Sequence, residues 1–273
     1  MLKIRTVLTL IAVVTLTPGL ARADMLTFGI YGASTAEASA VVTGQGHTAT
    51  VLSSLSAADL TGIDVLWALN SSVAGQLAGF SSSAVTSFVS AGGGFLYHDR
   101  RVVGAQGILP GVTGLAFTLG AGTPDEINVA PGASSLVNAG LASAITAGSL
   151  NDQSLSSNGY AANSILANGG VLPPDFAPIL TRESSSQFVD FQYSHGDGFV
   201  YYSTIPLDQH LLSPTSAFTT AYAPNSVNII ATNVISAQAV PEPTSLAFFA
   251  VAGMGMTAVV RRRKKKATID VAA

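Results

Sequence analysis

The segment from Ser81 to Asp99, SSSAVTSFVSAGGGFLYHD, narrows the fold more than any other stretch of the chain. Ser81, Ser82 and Ser83 offer hydroxyls that cap a helix, and Val85, Phe88 and Val89 follow at i, i+3, i+4 spacing. Gly92, Gly93 and Gly94 stop that helix, because glycine takes the left-handed C-cap conformation without a Cβ clash. Phe95 to His98 then reads as a strand. A second strand, DVLWAL at 64–69, apolar from Val65 onward, lies upstream and carries the one tryptophan, Trp67. Strands that are apolar on both faces, joined through a helix, predict an α/β fold: a mostly parallel sheet with helices on both faces.

Flanking segments extend the pattern. Leu26 to Tyr31 reads as a first strand, Ala33 to Val42 as a helix, Thr48 to Leu52 as a strand and Ser56 to Leu60 as a helical turn. Further strands are expected at Leu115 to Leu119, Ala177 to Thr181, Phe188 to Tyr193 and Phe199 to Ser203. Between the last two, Asp197-Gly198 is a hairpin signal. A closing amphipathic helix is expected from Ala223 to Ser236, apolar at Val227, Ile230 and Val234. The Ser/Ala/Asn/Gly-rich stretch 128–168 takes no class, and no repeat period is evident.

The two ends read as targeting segments. Lys3 and Arg5, an apolar run from Val7 to Leu16 and the small-x-small triplet Ala21-Arg22-Ala23 form a secretory signal over 1–23. At the other end a linker (237–243) contains Pro241, Glu242 and Pro243. The apolar stretch 244–260 then reads as a transmembrane helix, and 261–273 as a cytoplasmic tail. Its run from Leu246 to Val260 spans about 22 Å at helical rise, slightly short of a bilayer core. Snorkelling cations cover part of the mismatch. Arg261, Arg262, Arg263, Lys264, Lys265 and Lys266 hold that end in the cytoplasm, which leaves the body, 24–236, outside.

This tail resembles the PEP-CTERM sorting signal, in which a Pro-Glu-Pro motif precedes a short transmembrane helix and a basic end. The resemblance implies transit through the inner membrane and recognition by an exosortase-type processing enzyme. It also implies a membrane-anchored precursor that ends at the cell surface or outside, in an exopolysaccharide-rich biofilm matrix. The segment Ala267 to Ala273 beyond the basic cluster departs from the family's usual shorter ending.

Composition fits such a body. The formal charge of −3 conceals thirteen acids and three bases between residues 24 and 240, a net −10. That excess disfavours nucleic acid as a partner. With no cysteine in the chain, disulfides, thiolate metal sites and thiol nucleophiles are excluded.

The body is similar to the flavodoxin-like fold of class I glutamine amidotransferase-like domains. DVLWAL at 64–69, AGGGFLYHD at 91–99 and GDGFVYYSTIPLD at 196–208 carry the likeness. In that family a nucleophilic cysteine sits on the turn after a central strand, here the turn at His98, Asp99 and Arg100. Without a thiol no thioester forms, so glutaminase activity is excluded.

His98, Asp99, Arg100 and Arg101 remain the candidate catalytic cluster. They lie where a strand of an open α/β sheet ends, the usual place for ligands. His98 would act as acid/base, Asp99 would orient it and an arginine would hold an anion. The opposing expectation is local hydrogen bonding in a solvated loop. His195, Asp197, Asp208 and His210 have metal-ligating side chains but no recognised zinc or calcium spacing, so no metal is expected. Phosphate-loop, dinucleotide and His-Glu-x-x-His motifs are absent, and no cofactor is expected. Phe188, Phe191, Tyr193, Phe199, Tyr201 and Tyr202 admit a glycan-stacking reading, but strand alternation accounts for them as core. The leading expectation is a non-catalytic exported domain serving matrix structure, adhesion or glycan contact. The alternative is a hydrolase or sugar-modifying enzyme using the His98–Arg101 turn.

Overall fold

Apolar runs near the start of the body form β1 (Thr27–Gly32), β2 (Thr48–Val51) and β3 (Val65–Asn70), with helix α1 (Thr35–Gly44) between the first two. This computed structural model describes residues 25–71, 80–99, 108–112, 127–133, 173, 175–181 and 188–238, and the backbone of 115–118 and 163–166. The expected helix of the Ser81–Asp99 unit is α2 (Ser82–Ser90), capped by Ser81 Oγ, which accepts the Ala84 N–H. Gly92, at φ +103°, turns the chain into β4 (Gly94–Asp99). Every residue of β3 and β4 is buried, as strands covered on both faces require.

The remaining strands are β5 (Leu115–Thr118), β6 (Asn128–Val129), β7 (Asn163–Leu166), β8 (Ala177–Thr181), β9 (Phe188–His195) and β10 (Gly198–Ser203). Eight of them form one sheet in the order β2-β1-β3-β4-β10-β9-β8-β6, and β5 and β7 pair separately. The mostly parallel sheet expected from the sequence is corrected here. β1–β2, β1–β3, β3–β4 and β4–β10 are parallel, whereas β10–β9, β9–β8, β8–β6 and β5–β7 are antiparallel. The cause is local. Two residues, Gly196 and Asp197, separate β9 from β10, and a connection that short joins only antiparallel strands. The hairpin signal is present but shifted, because the left-handed position is Gly196 (φ +62°), so the turn is Gly-Asp.

After β10 come a short helix α3 (Leu207–His210), a π-helical turn (Phe218–Tyr222) and α4 (Ala223–Gln238). The π turn meets Pro224, which has no N–H to continue an α ladder. Helices α1 and α4 cover one face of the sheet over Trp67, Leu96 and Tyr201, while α2 covers the other over Phe95, Tyr97 and Tyr202. Residues 1–24, Arg100, Arg101 and everything from 239 onward lie outside the described residues. So do the expected signal, transmembrane helix and basic tail. Among the described residues no helix is long and apolar enough to cross a membrane.

Candidate functional site

The carboxyl ends of the parallel strands gather the polar side chains of the core. β4 runs on through the predicted turn, so His98 and Asp99 are both strand residues. Successive strand residues point to opposite faces. His98 therefore joins the α1/α4 side with Trp67, Tyr201 and Tyr222, and Asp99 joins the α2 side with Asn70 and Tyr202. Both are buried, at 1% and 0% exposure. The two do not converge on one pocket and they are not splayed into solvent. Asp99 does not orient His98.

Donor chemistry fixes the imidazole instead. Trp67 Nε1–H, which can only donate, lies 3.0 Å from His98 Nδ1, so Nδ1 is the accepting nitrogen. Burial holds the His98 pKa down to about 3, so the ring is neutral and its proton sits on Nε2. Nε2–H then donates to Tyr222 Oη at 3.2 Å. Tyr222 has one proton to give. Asp190 Oδ2 lies 2.7 Å away and Ser203 Oγ 2.8 Å away. Tyr201 Oη also donates to Asp190 Oδ2, at 2.8 Å, and the Ile205 N–H donates to Ser203 Oγ.

Asp190 is the end of this chain. Its Oδ1 is buried without a hydrogen-bond partner. Burial raises its pKa to about 6, against the opposing hydroxyls of Ser203, Tyr222 and Tyr201. The buried tyrosines 201 and 222 are pushed well above their usual range by desolvation first and the Asp190 charge second. No sequence signal marked Asp190 or Tyr222. They arrive from β9 and the π turn, far from His98 in the chain.

On the opposite face, Asn70 and Asp99 are direct cross-strand partners, and Asn70 Nδ2 donates to Asp99 Oδ1 at 2.9 Å. Tyr202 Oη donates to Asp99 Oδ2 at 3.3 Å. Strand order reverses between β1 and β3, and ligands of open α/β sheets bind outside such a point. Here α3 lies over it. Ser34, in the left-handed region at φ +50°, donates its hydroxyl to the Asp208 carbonyl at 2.7 Å, and Leu207, Asp208 and His210 are buried.

Two other sequence expectations separate in space. His195 and Asp197 flank the amino end of β10, and Asp208 and His210 follow its carboxyl end. Among the described residues no group of three or more His, Asp or Glu could hold a metal. Phe191, Tyr193, Tyr201 and Tyr202 are core on one face or the other and present no stacking surface. A cleft of about 520 Å³ opens elsewhere, lined by Ser54, Ser56, Ser81, Ser83 and Ser87. Three of its hydroxyls are engaged locally: Ser54 and Ser56 donate to Asp59, and Ser81 caps α2.

Comparison with curated proteins gives no match. In solved structures, likeness is found to cytoplasmic protein STM3548 from Salmonella typhimurium (10% identity, TM-score 0.48, covering 77% of this chain and 98% of that one). A beta-galactosidase from Rahnella sp. R3 shows 15% identity and TM-score 0.41, over 80% of this chain and 32% of the enzyme. Likeness this low carries no argument about activity, and the amidotransferase-like resemblance finds no support among these neighbours. Residues 239–264 match the PEP-CTERM protein-sorting motif, which takes in Pro241, Glu242, Pro243 and the basic cluster as far as Lys264. The motif marks an exported protein that an exosortase processes at the membrane and that reaches the cell surface or the outside.

Proposed function

We propose that the body is a non-catalytic module of the cell surface or its surrounding matrix, acting by contact after delivery by the sorting tail. The observation that carries this reading is the closed state of the His98 cluster. An acid–base catalyst needs a proton-exchanging atom within reach of substrate and a pKa near working pH. Both ring nitrogens of His98 are already engaged, the ring is buried, and its pKa lies far below neutrality. α3 occupies the usual ligand position at the strand-order reversal. The acidic body suits cation-rich surroundings and meets anionic polysaccharide through divalent ions rather than directly.

The test is expression of the full chain in a host with an exosortase, followed by intact-mass analysis and matrix fractionation. Tail-trimmed protein in the matrix fraction, released by a divalent-cation chelator, is the expected result. Changing Pro241 and Pro243 to Ala and Glu242 to Gln should leave the chain untrimmed in the membrane fraction. A steady-state species that keeps Arg261 to Lys266 would overturn processing. Glycan or ester hydrolysis by the wild type that His98→Gln or Asp99→Asn abolishes would overturn the non-catalytic reading.

A further inference from the structure

The folded unit releases both of its described ends at one edge of the sheet. Met25, 67% exposed, stands two residues before β1 at the amino edge. Gln238 ends α4 and lines a surface hollow of about 250 Å³ with Ile63, Asp64, Gly92 and Gly93, the residues that lead into β3 and β4. Topology dictates this placement. A helix that follows a parallel strand and packs back on the sheet returns to the amino edge, and α4 follows β10 and packs on β10, β4 and β3. Three short connections lie at this edge, Gln45–His47, Ala91–Gly93 and Gly196–Asp197, beside the approach to β8, where Asp175 accepts the Ser194 N–H, and Gly111, which packs against the His195 ring. At the carboxyl edge the interval from Asn70 to Ser82 joins β3 to α2.

The sorting motif begins at residue 239, immediately after α4. Fully extended, the chain from Gln238 reaches at most about 29 Å by Leu246, where the apolar run starts. A folded unit of this size is about 40 Å across. The tether is shorter than the body it holds, so it cannot pass around the body to present the opposite edge.

We propose that, in the tail-bearing precursor, the amino edge of the sheet faces the lipid bilayer and the carboxyl edge is held away from it. This rests on the reading that 244–260 crosses the membrane. The expected export signal over 1–23 joins the body at the same edge, so both targeting segments pull on one side of the fold. The serine-lined cleft, which lies between the carboxyl end of β2 and the start of α2, is on the side turned away from the bilayer before the tail is cut.

The natural absence of cysteine allows a direct test with the full-length chain. Single variants Ala91→Cys and Asp197→Cys place a thiol at exposed amino-edge positions, and Ser213→Cys places one at an exposed position beyond α3. Each is labelled with an environment-insensitive dye and reconstituted into phosphatidylcholine vesicles carrying a nitroxide quencher on the headgroup. Dyes at 91 and 197 should be quenched at least threefold more than the dye at 213. Equal quenching, or stronger quenching at 213, overturns the orientation while leaving the sorting reading intact. Chains that fail to float with the vesicles overturn the membrane-spanning reading itself, and the orientation falls with it.

Discussion

The indole N–H of Trp67 donates to Nδ1 of His98 across 3.0 Å, from β3 to the neighbouring strand β4, with both side chains fully buried. This contact decides the tautomer of His98 and thereby the direction of the hydrogen bonds that run on to Tyr222 and Asp190. Trp67→Phe keeps an aromatic ring and removes the donor, leaving an accepting nitrogen dry and unsatisfied. That loss costs about 1–3 kcal/mol, and the smaller ring adds a cavity cost. Urea unfolding should show the midpoint fall without a change in slope. An unchanged midpoint would mean that His98 finds another donor.

The acid stability of the domain should depend on His98. An unfolded histidine titrates near pH 6.5, whereas folded His98 resists protonation until about pH 3. The folded state therefore gains stability from neutral His98 above pH 6.5 and loses it as pH falls through this window, by as much as about 5 kcal/mol. His98→Gln keeps the geometry of acceptor towards Trp67 and donor towards Tyr222 but cannot titrate. Chemical denaturation from pH 7 to pH 4 should show a steep loss for the wild type and a shallower one for the variant. Half-buried His47, whose pKa is also lowered by burial, leaves a residual slope in both.

Asp190 acts in the opposite sense. Its folded pKa of about 6 lies above the unfolded value near 3.9, so the fold prefers the protonated form. Its contribution is fully present below pH 4 and lost as pH rises through 6, a span worth about 3 kcal/mol. The group thus offsets part of the His98 slope. Asp190→Asn removes the offset, and stability should climb more steeply between pH 4 and pH 6 than in the wild type. A parallel or flatter curve would place the proton on another group of the cluster.

The sequence exposed β3 and β4 because they are apolar on both faces, and it exposed α2 because Ser81 and the glycine run punctuate it, whereas β6 and β7 lie in the stretch 128–168 that took no class. The π turn and α3 carry no such marks. Leu207–His210 is a single turn too short for a periodic pattern, and the π turn arises from Pro224 breaking a ladder that otherwise reads as ordinary helix. The candidate site was legible as residues but not as geometry. His98 and Asp99 adjoin in the chain, and adjacency suggested cooperation. Within a strand, adjacency means opposite faces. The true neighbours of His98 come from β3, β10 and the π turn, and only the folded topology brings them together.

The Gly-x-Gly of the β9–β10 turn gives a prediction of a different kind. A Cβ on Gly198 would fall on the carbonyl oxygens of Val89 and Gly93, which belong to backbone and cannot swing aside. Both carbonyls sit where the end of α2 meets the sheet, and the Phe199 N–H donates to Gly93 O at 3.3 Å. Gly198→Ala must therefore push α2 off the hairpin, a strain in the range of a severe core change, about 3 kcal/mol or more. Gly44, at the end of α1, has nothing within 4 Å of the same position. Gly44→Ala should stabilise by about 0.4–1 kcal/mol through the unfolded chain. Paired thermal melts separate the two mechanisms, since glycine removal as such would shift both variants the same way, whereas the close approach of backbone at 198 requires shifts of opposite sign.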